Sequence, residues 1–335
     1  MSRVVPFRAL RPAKPHVRQV AAPPYDVLSV EEARERVRDN PFSFLHVEKS
    51  EIDLPDASGV DDLRIYERAG ANLREMVRRR IMVREASDAF YLYRLRMGER
   101  TQTGIVACVS VSEYETGRIL RHEHTREDKE RERTLHIDTA GAQTGPIFLT
   151  YRGKQTIDRL AARVAERNPE YDFRADDGVQ HTVWTIADSE EVREVAEGFA
   201  TIEAVYIADG HHRAAAAAAV SRIRDARNPG GGGEEHRFML GVLFPHDQLR
   251  ILDYNRVVRD LKGLTPEVFL ERVRERFVVT DPYGEKSPRR LHDFGMYLRG
   301  RWYGLRARPE ILRDDDPVAG LDVSLLQDHL IGPVL

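Results

Sequence analysis

The chain predicts a mixed α and β fold, and three observations carry that prediction. Short apolar runs rich in β-branched and aromatic residues, such as 146–151 and 238–244, are interspersed with segments whose apolar residues recur every three or four positions. Turn signals at Gly98-Glu99, Asp176-Asp177-Gly178 and Arg299-Gly300 join paired runs in the manner of hairpins. An apolar share of 41% with a charged share of 32% describes a folded chain with a heavily ionised surface. At 335 residues there is room for two regions with cores of their own, and 1–150 and 151–335 are expected to pack into one catalytic unit.

Taken in order, Val4 to Leu10 reads as a first strand, followed by a turn region containing Pro12, Pro15, Pro23 and Pro24. Ser29 and Glu32 have capping-box spacing before a short helix that stops at Asn40-Pro41, and Phe42 to Val47 reads as a second strand. From about Asp61 to Met82 a longer helix sets Leu63, Tyr66, Gly70, Leu73 and Val77 on one core stripe. Phe90 to Met97 and Thr101 to Val111 form a hairpin, and a charged helix reaches about Ala140 before a strand from Pro146 to Tyr151. Gln155 to Arg167 and Glu190 to Phe199 are helical by pattern, with strands at Tyr171 to Arg174 and Val179 to Ile186 between them. Gly230 to Gly233 reads as a connector, since it lacks the Lys-Ser/Thr of a P-loop. Phe238 to Phe244 and Leu249 to Val258 read as strands, and Met296 to Leu305 as a last hairpin.

Charge narrows the function. Lys plus Arg number 52 against 55 Asp plus Glu, a net charge of −3, so no global basic field calls for nucleic acid and any anion site is local. No run of about 18 apolar residues suits a membrane span, and the first residues lack the apolar centre of a signal peptide. The single cysteine, Cys108, lies in an apolar run and has no internal partner, which fits a reducing cytoplasm.

The stretch that reads as chemistry is Asp209-Gly210-His211-His212-Arg213, between the apolar run 204–208 and six alanines, Ala214 to Ala219. Strand, tight turn and helix follow from that pattern, so the helix opens at the histidines. Its first turn carries unpartnered N–H groups and partial positive charge, Gly210 permits close approach, and the Arg213 fork matches two phosphate oxygens. A phosphate site is the reading. The plainer one has Asp209 cap the helix, Gly210 make the turn and the alanines pack on a sheet.

A second cluster, His122-Glu123-His124-Thr125, precedes a helix on which Arg126, Lys129, Arg133 and His136 share a face. Thr125 with Asp128 approximates a capping box. In an extended segment His122 and His124 point the same way, as two ligands of one metal do, with His136 and Asp138 as further donors. Lys129 and Arg133, one turn apart, suit the phosphates of a nucleotide or small substrate, while Arg131 and Glu132 read as a solvated face. The third cluster is Ala22-Pro23-Pro24-Tyr25-Asp26, where two prolines aim Tyr25 to stack or hydrogen-bond and Asp26 to act as base or Mg²⁺ ligand; the plainer reading is an exposed turn.

Together with Pro6 to Leu10, Ser43 to Val47, Gly145 to Phe148 and Asp322 to Gln327, these clusters resemble the family known as domain of unknown function 1015. Members of that family usually continue past the segment matching Leu326 to Leu335 into a Pro-Pro-Lys tail. The Gly210-to-Arg213 turn also resembles the phosphate-binding signature of the ParB and sulfiredoxin-like fold, which implies an α/β core of that type elaborated with extra hairpins and helices. Where sulfiredoxins carry a reactive cysteine this chain has His211, and no helix-turn-helix reader of the ParB kind is evident. Free L-serine kinases of that superfamily carry an Asp-Gly-His-x-Arg version, which Asp209 to Arg213 resembles best.

That resemblance implies phosphoryl transfer involving a nucleotide (ADP or ATP), Mg²⁺ and a small hydroxyl compound, with serine or phosphoserine the first substrate to try. On this expectation Gly210, His211, His212 and Arg213 hold phosphate, helped by Tyr25, His122, Thr125, Lys129 and Arg133. Asp26, Glu123 or Asp209 serves as base or Mg²⁺ ligand. Two other classes stay open, a non-catalytic nucleotide-gated regulator and a metal-dependent hydrolase using His122 and His124. The expected partners are a phosphorylated metabolite or nucleotide and a second copy in a homodimer, without membrane or nucleic acid.

Overall fold

The computed structural model describes residues 3–57, 59–228, 234–313 and 315–335, and the expected glycine connector at 230–233 lies outside them. The chain is mixed α and β and divides into two compact units, residues 1–250 and 251–335. The boundary expected after residue 150 falls inside a strand, Ile147–Tyr151, that is hydrogen-bonded on both sides to strands later in the chain.

In the first unit the N-terminal run breaks at Pro6 into β1 (Val4–Val5) and β2 (Leu10–Pro12), because proline has no N–H to give the ladder. After α1 (Val17–Val20), α2 (Val30–Val37) starts on the full Ser29/Glu32 capping box. The expected strand 42–47 is instead a single helical turn, α3 (Leu45–Glu48), entered through Ser43 Oγ, which accepts from the Leu45 N–H. Six apolar-rich residues cannot fix the period, and the contacts of α3 decide it. α4 (Leu63–Arg78) buries Tyr66, Ala69, Gly70, Leu73 and Met76, whereas Leu63 and Val77 of the expected stripe are exposed at the margins.

β3 (Met82–Arg84) pairs with β2, and the predicted hairpin is β4 (Phe90–Met97) with β5 (Arg100–Ser110). The chain continues through α5 (Val111–Glu115), β6 (Ile119–Leu120), α6 (Glu127–Ala140) and β7 (Ile147–Tyr151). Next come α7 (Gln155–Ala165), β8 (Tyr171–Arg174), β9 (Gln180–Ile186) and α8 (Ser189–Ala200). β10 (Val205–Asp209), α9 (His211–Arg227) and β11 (Phe238–Pro245) complete the unit. The main sheet has the order β6-β10-β7-β11-β5-β4-β9-β8, with β1 also paired to β5. Among the described residues only β6/β10 and β7/β11 run parallel.

The core joins the sheet to α7, α8 and α9 through Phe90, Leu92, Ile147, Leu149, Tyr151, Leu160, Phe199 and Ile207. Alanine lets α9 lie close: Ala214, Ala216, Ala217 and Ala218 are buried, and Ala216 with Val220 packs on Ile137 of α6. No described helix is long and apolar enough to cross a membrane.

The second unit places α10 (Pro266–Arg276), β12 (Phe277–Thr280), β13 (Asp293–Leu298), β14 (Arg301–Ala307) and α11 (Asp322–Leu326) around one core. Its sheet is the antiparallel β12-β14-β13, and Phe269, Val273, Phe277, Leu305 and Leu325 fill the interior. The strand expected from Leu249 to Val258 belongs to no ladder; Ile251 and Val257 are almost fully exposed. Its β-branched composition is the same as that of a paired strand, and no described strand lies beside it to complete the hydrogen bonds.

Because Ala216 sits with no exposed surface between α9 and α6, Ala216→Leu is expected to cost about 1–3 kcal/mol through overpacking. Thermal unfolding of the purified variant reads this as a lowered Tm, and an unchanged Tm contradicts the close α6/α9 contact.

Candidate functional site

The site forms where β10 hands over to α9. Gly210 is the N-cap residue, at φ +92°, and no side chain caps the helix, so the plainer role for Asp209 as a cap does not hold. The left-handed turn explains the glycine, since other residues resist that region. A Cβ there would also stand 3.4 Å from the Ile147 Cα. β7 runs antiparallel to β10, so its start lies beside the end of β10, with a register irregularity between Ile207 and Asp209. Arg213 Nη1 consequently donates to the Pro146 carbonyl at 2.8 Å, which fixes the guanidinium at the mouth of the helix. The Arg213 side chain is only 18% exposed.

Three separated segments meet there. Asp26 Oδ2 lies 3.8 Å from Arg213 Nη2, and Asp209 Oδ2 lies 4.0 Å from Arg213 Nη1. The Tyr25 ring has the Arg133 guanidinium at 4.0 Å from its centroid and that of Arg213 at 5.7 Å. Lys49 Nζ donates to the Tyr25 carbonyl at 3.4 Å. Burial pushes the Tyr25 phenol up, with the two arginines opposing, so it is a neutral hydroxyl near pH 7.

Arg133 differs from its expected role as an open phosphate ligand. It is buried, with Nη2 on Glu132 Oε1 at 2.7 Å and Nη1 facing Glu48 Oε2 at 3.4 Å. Lys129 Nζ holds the other Glu132 oxygen at 2.9 Å. Burial alone would raise the Glu132 carboxyl, but Arg133 and Lys129 outweigh it and hold it below the usual range. Glu132 is thus a bridge between two cations, where the charge run read as a solvated face; Arg131, paired with exposed Asp61, does fit that reading. Sequence reasoning also missed Glu48. Its signal was the helical turn of α3, which the strand expectation concealed.

The His122 cluster takes a different form from the expected metal pair. The chain bends at Glu123, and the His122 ring packs edge-on against His211 at 4.5 Å while the His122 backbone N–H donates to His211 Nε2 at 3.5 Å. His211 Nδ1 faces Glu123 Oε2 at 3.4 Å. Burial and neighbouring His122 hold the His211 imidazole below its ordinary value, so it is neutral and directs its proton toward Glu123. His136 bonds the Val47 carbonyl at 2.9 Å, and Asp138 pairs with Arg224 and Arg227, so neither serves the His122 segment. Among the described residues no group of three or more His, Cys, Asp or Glu is arranged to hold a metal ion. Thr125 does not cap α6, whose N-cap is Arg126; its hydroxyl donates to Glu130 Oε2. Arg126 pairs with Asp128. Cys108 lies in β5, where burial pushes its thiol up to about 12, which rules out a thiolate nucleophile at neutral pH.

Residues 4–324 match the family described as "Protein of unknown function (DUF1015)". No curated protein and no solved structure matches the chain.

Burial, followed by the charge of Arg133, holds His136 below the ordinary imidazole value. The folded protein therefore leaves it neutral while the unfolded chain takes up a proton as pH falls through about 6.5. The unfolded state binds more protons, so stability is greatest above that pH and is lost on acidification. Tm is expected to fall between pH 7 and 5.5, with a shallower slope in His136→Gln; identical slopes would remove His136 from the linkage.

Proposed function

The chain belongs to the DUF1015 family, and we propose that it is a phosphotransferase or phosphatase that binds the phosphate of a small metabolite at the N-terminus of α9. The carrying observation is the meeting of Tyr25-Asp26, Arg133 of α6 and Arg213 of the Gly210-to-Arg213 turn at the Tyr25 ring. Phosphoryl transfer asks mainly for positioning and for neutralisation of charge on the transferred group. The first N–H groups of the 17-residue α9 have no side-chain cap and favour an anion. Arg213 adds a fixed cation, and His212, in the first turn of the same helix, keeps a buried Nδ1 without a partner. Arg133, its charge answered by Glu132 and Glu48, braces the Tyr25 ring.

Asp26 and Asp209 are the carboxylates within 4.0 Å of Arg213, and either suits deprotonation of an attacking hydroxyl or water. Both side chains are more than half exposed, and their oxygens fit Mg²⁺, which keeps several waters and binds through one or two carboxylates plus phosphate oxygens. Bound there, Mg²⁺ would neutralise phosphate charge. Glu123, turned toward His211, suits orientation of that imidazole. The kinship of this turn with ParB, sulfiredoxin-like proteins and free serine kinases rests on its sequence, and it directs the first assays to ADP, ATP, serine and phosphoserine. A cytoplasmic setting, where such compounds occur, completes the reading.

Thermal-shift and phosphate-release assays over nucleotides and phosphorylated metabolites test it, since a ligand of the folded state raises Tm by mass action. Arg213→Ala is expected to abolish turnover and the phosphate-dependent Tm rise, while loss of the Pro146 hydrogen bond costs about 1–3 kcal/mol of stability. A folded Arg213→Ala protein with wild-type turnover overturns the assignment. Nucleotide binding without turnover of any metabolite would point instead to a nucleotide-gated regulator.

A further inference from the structure

We infer that Glu48 reads a cationic amine on the organic part of the ligand, so that this site, given the phosphate position proposed above, takes an amine-bearing phosphate monoester. Among the described residues four buried side-chain polar atoms have no hydrogen-bond partner: His46 Nε2, Glu48 Oε1, Arg133 Nε and His212 Nδ1. Three of them belong to this one site. Arg133 is 94% buried, being 6% exposed, and its Nε is an unanswered donor. Buried polar atoms are ordinarily satisfied, and an orphaned acceptor beside a cluster of functional groups marks a place that a ligand completes.

The position of Glu48 Oε1 relative to Arg213 decides the chemistry. A Cβ built on Gly145 would stand 3.6 Å from Glu48 Oε1 and 3.7 Å from Arg213 Nε. The unpaired Glu48 Oε1 and the Arg213 guanidinium therefore flank the same spot at Gly145. Glu48 Oε2 faces Arg133, so Oε1 is the oxygen left over. A phosphate oxygen cannot answer it, because acceptor would meet acceptor with like charge. An alkylammonium offers three donors and a full positive charge, and charge-assisted bonds of this kind are about twice as strong as neutral ones. Phosphate toward Arg213 and His212, with ammonium toward Glu48, leaves each end of the ligand against its complement.

A matched pair of probes isolates the amine: phosphoethanolamine and ethyl phosphate, titrated calorimetrically into wild-type protein, Glu48→Gln and Gly145→Ala. The wild type is expected to bind phosphoethanolamine at least about tenfold more tightly. Glu48→Gln should bring that ratio close to one by weakening phosphoethanolamine alone, a change in selectivity that a merely structural role does not produce. Gly145→Ala, whose new methyl meets its neighbours at ordinary contact distance, should fold normally and lose affinity for phosphoethanolamine by filling the space. Equal affinities in the wild type, with ethyl phosphate bound, overturn the role of Glu48 and leave the phosphate site standing. A Glu48→Gln protein that keeps its amine preference also overturns it. Failure of both esters and of inorganic phosphate to bind removes the phosphate site, and the amine position with it.

Discussion

A buried guanidinium governs the arrangement of the N-terminal unit around its site. Arg133 on α6 has almost no contact with solvent, and a charge so placed is tolerated only when paired. Glu132 from its own helix, Glu48 from α3 and the Tyr25 ring from the proline loop supply that compensation. The same charge therefore draws the loop and α3 to one face of α6. His136, one turn further along α6, bonds the Val47 carbonyl and so ties the same two helices together. Without this pairing nothing among the described contacts would hold Tyr25 and Asp26 beside the start of α9, apart from Arg213 itself and one lysine.

The sheet contributes the other half of the geometry. β10 lies between a parallel neighbour, β6, and an antiparallel one, β7, so the end of β10 and the start of β7 reach the same edge. The Gly210 turn and the Gly145-Pro146 approach are thus adjacent although 65 residues apart in the chain. Arg213 spans them through the Pro146 carbonyl. The alanines after it serve the same end, since small side chains let α9 lie near both the sheet and α6.

Much of this was legible in the residues, and the failures have physical causes. The β4/β5 hairpin, the Ser29 capping box and the strand-turn-helix at Asp209 to Arg213 are set by local rules, and each appears where its residues place it. Helix α3 was not legible because its six-residue apolar run has no decisive period, and with it went Glu48, whose importance depends on a partner 85 residues away. Glu132 looked like one member of a charge run; only the burial of Arg133 turns it into a bridge. The segment 251–258 shows the opposite case, in which strand-forming composition finds no ladder. Convergence of Tyr25, Arg133 and Arg213 is a tertiary fact that no spacing encodes.

The two arginines of the site illustrate how one residue type divides its work. Arg133 has a carboxylate oxygen at 2.7 Å and a second at 3.4 Å, so its charge is largely spent within the protein. Arg213 is held by a neutral carbonyl, and its nearest carboxylates stand at 3.8 and 4.0 Å on side chains more than half exposed. Exposed pairs at that separation contribute little to stability. Arg213 is therefore oriented without being neutralised, which is the condition an anion-binding cation must meet. Compensating the charge of Arg133 while leaving that of Arg213 largely uncompensated, with the Tyr25 ring against both, separates the task of holding the site together from the task of meeting its ligand.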